Sequence, residues 1–115
     1  MRLVDLEPQW ASTGGEGITD STTGQPVPLR EKVGLICNCP KCGADHPMFV
    51  PFANPFDGKP SAYKVNWTRT GKVDEAGKEY GQITETFEDM SLKPSILRKD
   101  CGWHGFIVNG EVRNA

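Results

Sequence analysis

Two short cysteine-containing segments carry the clearest chemical signal in this 115-residue sequence. Cys39-Pro40-Lys41-Cys42-Gly43 spaces two cysteines three positions apart around a turn that proline favours and glycine completes. Cys101-Gly102-Trp103-His104-Gly105 repeats the spacing with histidine in the second position. Thiolate-rich tetrahedral sites bind zinc or iron, and the presence of only one complete Cys-Pro-x-Cys-Gly segment favours zinc. The pattern predicts a structural Zn²⁺ site of the zinc-ribbon type.

Three ligands of this site follow from the spacing, and the fourth has alternatives. The three are Cys39, Cys42 and Cys101. The fourth is His104, by symmetry of the two segments, or Cys37, because residues i and i+2 of a strand point the same way. His46 is a weaker alternative. Neither the His-Glu-x-x-His motif nor the His-x-Glu of zinc deaminases is present, so a structural role for the metal is favoured over a catalytic one.

Ser95 and His104 form a second candidate site. Ser95 follows Pro94 and precedes a short apolar run, a position that usually belongs to a turn or helix cap. If the metal does not use His104, its imidazole is a fixed base near a hydroxyl, as nucleophilic catalysis requires. The backbone N–H groups of Gly102 and Gly105 are candidate oxyanion donors. The orienting carboxylate is left open among Glu88, Asp89 and Asp100.

Most of the chain that must position these residues has the pattern of β-strands. Asn109-Gly110 predicts a type I′ turn in a C-terminal hairpin. The one helical candidate is a short turn over residues 95–100. The predicted strands are Val33–Cys37, Met48–Phe52 at a sheet edge because of Pro51, Tyr63–Thr68 by strict alternation, Tyr80–Phe87, and the two arms of the 105–113 hairpin.

The expected fold is a small β-rich single domain with a zinc-ribbon-like site and a C-terminal β-hairpin. Residues 1–32 are predicted to be an N-terminal arm or loop, because residues 8–28 are rich in Pro, Gly, Ser and Thr. Residues 33–115 are predicted to be the zinc-stabilised β domain. Trp10 is interpreted as the side chain that fixes the arm to the core, with a partner contact as the alternative.

Composition excludes several classes of protein. The formal net charge is −2 and the sequence pI is about 5.6, which disfavours phosphate-dominated nucleic-acid binding. The aromatic and basic residues between Tyr63 and Lys72 are the one patch that resembles a base-stacking surface. No apolar run reaches membrane-spanning length, and the N-terminus is unlike a signal peptide. A cytoplasmic protein with reduced cysteines is therefore expected.

The order of these motifs resembles a poorly characterised bacterial and phage family. The resemblance rests on Cys37-x-Cys39-x-x-Cys42, Trp67, Leu92-x-Pro94-Ser95-Ile96 and Cys101-x-x-His104-x-Phe106-Ile107-x-x-Gly110, and it covers about residues 33–113. Phage members of that family often carry the label "ammonia monooxygenase". Some bacterial members sit beside ubiquitin-like conjugation genes, and a Ser–His peptidase role has been suggested for them.

The resemblance implies zinc ligands and catalytic residues by position. It assigns Cys37, Cys39, Cys42 and Cys101 to zinc, and Ser95 and His104 to catalysis. Family members often have a Cys-x-Cys-x-Cys cluster, whereas two residues separate Cys39 from Cys42 here. The expected function is a Ser–His hydrolase, a peptidase that acts on a protein or peptide such as a ubiquitin-like protein. The alternative is a non-catalytic zinc-ribbon module that binds a protein partner in phage or bacterial defence, or in a phage particle.

Overall fold

A computed structural model describes residues 1–80 and 86–115 and confirms the mainly β fold, with 45% strand and 4% helix. A 3₁₀ helix, Leu3–Leu6, precedes the strands, and no described helix is long and apolar enough to cross a membrane. The strands are β1 (Gln9–Thr13), β2 (Arg30–Cys39), β3 (Gly43–Pro51), β4 (Thr68–Thr70), β5 (Ser91–Leu97), β6 (His104–Val108) and β7 (Glu111–Asn114).

The strands form two antiparallel sheets. One has the order β1-β2-β3 and the other β4-β5-β6-β7, so neighbours in sequence are neighbours in space. An isolated parallel bridge between Phe52 and Trp67 connects the end of β3 to the start of β4. The outer edge of β7 is covered by the chain start, where the Val112 N–H donates to the Met1 carbonyl at 2.7 Å. That coverage blunts an edge strand that would otherwise be open.

Residues 1–32, expected as an arm or loop, contribute the 3₁₀ helix, β1 and the first three residues of β2 to the fold. Leu3 and Leu6 are buried in the core, and β1 pairs with β2. Trp10 on β1 packs with its ring centroid 4.2 Å from that of Phe87 and 5.2 Å from that of Phe56. The side chain therefore fixes this segment to the core, as interpreted from the sequence. Such aromatic contacts bury large apolar areas.

The strand predictions are confirmed for the β2–β3 and β6–β7 hairpins, and one prediction in the middle of the chain is wrong. The apolar runs in β2 and β3 are strands, and β3 is an edge of its sheet. The Tyr63–Thr68 prediction is wrong, because only Thr68 of that range lies in a strand. There the Asn66 side chain donates to the Tyr63 carbonyl at 2.8 Å, a local bond that replaces ladder pairing.

Two further predictions concern residues 80–100. The helical turn predicted over 95–100 is wrong, because Ser95 to Leu97 belong to β5. Most of the predicted Tyr80–Phe87 strand lies outside the described residues. The C-terminal hairpin is confirmed, with φ of +52° at Asn109 and +74° at Gly110, as a type I′ turn requires.

Replacement of Gly110 by alanine will destabilise the fold more than replacement of Gly58. Both glycines have φ of +74°, but a Cβ at Gly110 would overlap the Glu88 carbonyl oxygen, whereas a Cβ at Gly58 meets nothing within 4 Å. We expect Gly58→Ala to cost about 1–2 kcal/mol from backbone strain alone. Gly110→Ala should cost at least ~2 kcal/mol more. Urea unfolding of both variants measures the difference, and equal losses would contradict the packing argument.

Candidate functional site: a cysteine cluster beside a Ser–His pair

The tip of the β2–β3 hairpin and the β5–β6 loop bring three cysteines together. The Sγ atoms of Cys39, Cys42 and Cys101 all lie within 4.8 Å of one another, and those of Cys39 and Cys101 are 3.7 Å apart. A disulfide would need about 2.05 Å. The edge of a tetrahedron with metal–sulfur bonds of about 2.3 Å is about 3.8 Å. The cluster therefore has the dimensions of a tetrahedral metal site.

Backbone geometry explains why these loops present their sulfurs to one point. Gly43 directly follows Cys42, and Gly102 directly follows Cys101. Their φ angles are +77° and +78°, a conformation that glycine adopts without strain. The Gly102 N–H donates to the Arg98 carbonyl at 2.7 Å and closes the second loop. Lys41 Nζ donates to the Cys101 carbonyl at 2.8 Å and ties one loop to the other.

The electrostatic environment favours a thiolate at Cys39. Burial opposes ionisation, but backbone N–H groups of Cys42 and Lys41 point at the sulfur and bring the pKa of Cys39 to about 7. The bond with Cys101 raises the pKa of Cys42 to about 11. Arg98 is partly buried, which opposes its charge, yet its pKa is raised by contacts with Cys39 and Asp100. The sequence pattern did not identify Arg98, although it lies only three positions before Cys101.

The three alternatives for a fourth ligand lie in different surroundings. Cys37 shares the inner face of β2 with Cys39 but lies in the apolar core outside the three-sulfur group. Burial raises the pKa of its thiol to about 12. His46 is exposed, and its carbonyl accepts a hydrogen bond from Arg98 at 3.0 Å. His104 points its Nε2 at Ser95 and is not part of the group.

Ser95 and His104 are in direct contact. The Ser95 Oγ and His104 Nε2 atoms are 2.9 Å apart, and the pair is open to solvent on the side of the histidine. With the imidazole proton on Nδ1, the serine hydroxyl donates to Nε2. The pairing of β5 with β6 explains this contact. Leu92 pairs with Ile107 and Ile96 with Gly105, so β5 has two more residues than β6 between these pairs. Ser95 lies among the extra residues, in a β-bulge.

Trp67 fixes the backbone of the serine. Its indole Nε1 donates to the Ser95 carbonyl at 3.1 Å, and its ring packs against the core. The histidine is fixed by its own strand, where Leu97 pairs with it on one side and its carbonyl accepts from the Ala115 N–H at 2.9 Å on the other. Both side chains therefore project from backbone that is held by hydrogen bonds.

The carboxylate and oxyanion-hole candidates named from the sequence do not complete a catalytic site around this pair. Asp100 pairs with Arg98 at 2.9 Å and Asp89 with Lys72 at 3.6 Å. No carboxylate among the described residues makes a hydrogen bond with the His104 ring. The Gly102 N–H is engaged by the Arg98 carbonyl, and Gly105 lies inside the sheet, paired on both sides. The contact is thus a Ser–His dyad.

The dyad separates two concave surfaces. Ser95 is one of the residues that line a groove of about 790 Å³, and His104 lines a smaller hollow of about 470 Å³. We call the first the serine groove. Apolar walls and a few polar groups are typical of ligand sites. The lining of the serine groove includes Asp74, Glu75, Lys93, Ser95, Phe106 and Arg113.

The aromatic and basic patch expected as a base-stacking alternative is not one exposed surface. Arg69 is buried, with its guanidinium 3.6 Å from the centroid of the Phe56 ring. Lys72 pairs with Asp89, and Trp67 packs against the core. Since stacking platforms require exposed aromatics along a basic groove, the structure gives this reading no support.

No family model, curated protein or solved structure shows a significant match to this chain.

The cluster should bind one metal ion per chain, and loss of Cys101 should release it. Cys101→Ser removes the only sulfur that the β5–β6 loop contributes, so we expect metal content near zero and a melting temperature lower by about 10 °C or more. Elemental analysis and thermal unfolding measure both. His46→Ala is the control and should retain metal. Full retention in Cys101→Ser would contradict the site.

Proposed function

We propose that this protein is a Ser–His hydrolase, a peptidase whose fold is stabilised by zinc. The observation that carries the proposal is the 2.9 Å contact between Ser95 Oγ, which lines the serine groove, and His104 Nε2. A serine hydroxyl becomes nucleophilic when a base within hydrogen-bond reach accepts its proton. Both groups project from hydrogen-bonded strands, which is the rigid support that such a pair needs.

The proposed reaction has two stages, which are the formation of an acyl ester on Ser95 and its hydrolysis. Ser95 Oγ attacks the substrate carbonyl carbon while its proton passes to His104 Nε2. The carbon–nitrogen bond then breaks, and His104 returns that proton to the departing amine, which leaves an acyl ester on Ser95. Water attacks the ester, again giving a proton to His104. The carbon–oxygen bond to Ser95 breaks, the serine regains its hydrogen, and the acid product leaves.

Zinc supplies only structure in this proposal. Cys39, Cys42 and Cys101 would hold it, since their Sγ atoms lie within 4.8 Å of one another and those of Cys39 and Cys101 are 3.7 Å apart. Cys37 is the proposed fourth ligand, since it shares the inner face of β2 with Cys39 and metal coordination deprotonates a thiol outright. This arrangement leaves His104 to Ser95.

The substrate class follows from the resemblance to the bacterial and phage family described above. It favours a ubiquitin-like protein, matured or released from a conjugate by cleavage of an amide bond, and a cytoplasmic setting. The serine groove supports a peptide substrate, because it joins apolar walls to the nucleophile.

A non-catalytic binding module is the second candidate. The observation that favours it is the missing third group: among the described residues no carboxylate orients His104, and the proposed Gly102 donor is already used. In that reading the serine groove binds a peptide segment of a protein partner, and the zinc site holds its walls in place.

A serine-directed fluorophosphonate should label Ser95 and separate the two candidates. We expect intact-mass analysis to show one adduct on the wild-type chain and at least a hundredfold slower labelling of His104→Ala, because general-base catalysis contributes about 10²–10⁴-fold. Ser95→Ala should show none. Hydrolysis of a ubiquitin-like substrate should be lost in the same two variants.

Matched variants control for damage to the fold. Ser21→Ala and His46→Ala change an exposed serine and the other histidine, and both should label at the wild-type rate. Circular dichroism and metal content must be unchanged in all four. Absence of labelling in a folded, metal-loaded wild-type protein would refute the hydrolase and leave the binding module.

Cobalt substitution should identify the fourth ligand. We expect wild-type Co²⁺ protein to show the charge-transfer and d–d bands of four thiolates, and His104→Ala to show the same spectrum. Cys37→Ala should lose part of the thiolate-to-metal intensity, because one sulfur donor is gone. A changed spectrum in His104→Ala would make the histidine a ligand, occupy the proposed base and defeat the dyad.

A further inference from the structure

The serine groove contains one arginine that no described residue engages. Lys93 Nζ donates to the Gly77 carbonyl at 3.1 Å. The groove also has two acidic residues: Asp74 Oδ1 accepts the N–H groups of Ala76 and Lys78, each at 2.9 Å, and Glu75 is exposed beside it. The Arg113 side chain is exposed, and its guanidinium makes no hydrogen bond or ion pair with any of residues 1–80 or 86–115. Its five N–H donors in a planar fork are therefore available for a ligand.

Arg113 lies on the same face of the sheet as the dyad. It pairs directly with Phe106 across β6 and β7, and side chains of directly opposed residues share a face. His104 is two positions before Phe106 on β6, so it projects to that face as well. Ser95 is on β5, so two strand spacings, about 10 Å, separate the nucleophile from the strand of Arg113.

The chemistry of this arrangement selects a negatively charged group. A guanidinium matches a carboxylate with two parallel hydrogen bonds, stronger than neutral ones. The Phe106 ring between Arg113 and the dyad offers an apolar contact for the segment of chain that joins the two points. An extended peptide covers about 10 Å in about three residues.

We propose that Arg113 is a specificity-determining residue that binds a substrate carboxylate two or three residues from the bond that Ser95 cleaves. The carboxylate belongs to an acidic side chain or to the end of a peptide, and both present the same group to the guanidinium. This inference rests on the proposed hydrolase for its reaction, while the recognition itself can be measured without catalysis.

Peptide phosphonates that differ at a single group test the proposal. One probe carries Glu and its twin Gln at the position two residues from the phosphonate. A second pair ends there in a free carboxylate or an amide. We expect wild-type protein to react at least about tenfold faster with one acidic probe than with its neutral twin, as read from intact mass. The pair that shows the preference identifies the source of the carboxylate.

Substitution of Arg113 should remove or invert that preference. Arg113→Ala should label at equal rates with both twins, and Arg113→Glu should prefer a probe with Lys at that position. The control Lys99→Glu reverses an exposed charge outside the groove and should keep the acidic preference. Equal rates for the twins in the wild-type protein, with normal labelling by the small fluorophosphonate, would overturn the role of Arg113 and leave the hydrolase intact.

Peptide binding tests the carboxylate site even if the protein has no hydrolase activity. If no phosphonate reacts, fluorescence anisotropy of the same peptides, without the reactive group, measures binding to the Ser95→Ala protein. Tighter binding of the acidic peptide, lost in the Ser95→Ala, Arg113→Ala double variant, would support the carboxylate site. Equal binding of acidic and neutral peptides would refute it.

Discussion

The contact between two loops from different sheets is the constraint on which the rest of the structure depends. Cys39 and Cys42 end the β2–β3 hairpin of one sheet, and Cys101 lies in the β5–β6 loop of the other. The two sheets are also connected by the isolated β-bridge between Phe52, after β3, and Trp67, before β4. A metal ion at the three sulfurs would add a cross-link between residues far apart in sequence. Small domains with a limited core depend on such cross-links.

The same loop that carries Cys101 determines where His104 lies. Three residues after the cysteine, β6 begins with the histidine, and its register with β5 places the ring beside the bulge that contains Ser95. On the other side of the bulge, Trp67 donates to the Ser95 carbonyl from the start of β4. The position of the dyad therefore depends on contacts of the β5–β6 loop with β2 and on the connection of β3 to β4. A metal ion bound at the cysteines would thus be coupled to the geometry of the dyad through one short segment.

Local signals in the sequence were sufficient for the loops and the final turn. The cysteine spacing and its glycines predict the turns, and Asn109-Gly110 predicts its hairpin, because each depends on a few adjacent residues. The helical turn over 95–100 was wrong because pairing of Ile96 with Gly105 and of Leu97 with His104 in β6 outweighs weak helical preference. The Tyr63–Thr68 alternation was wrong because, in the part of the chain that the structure describes, no strand pairs with most of it. Burial of Leu3 and Leu6 depends on contacts with distant strands, which a loop-rich composition conceals.

The openness of the dyad indicates what a substrate must contribute. His104 is exposed, so water competes for every polar interaction around the reacting atoms. Hydrogen bonds to a developing oxyanion are strongest where water is excluded, and the histidine side of the pair is open to water. A bound peptide that fills the serine groove would cover Ser95 and raise the strength of those interactions. The proposed catalysis would therefore require a substrate held by contacts away from the scissile bond, and a short ester without such contacts should be a poor substrate.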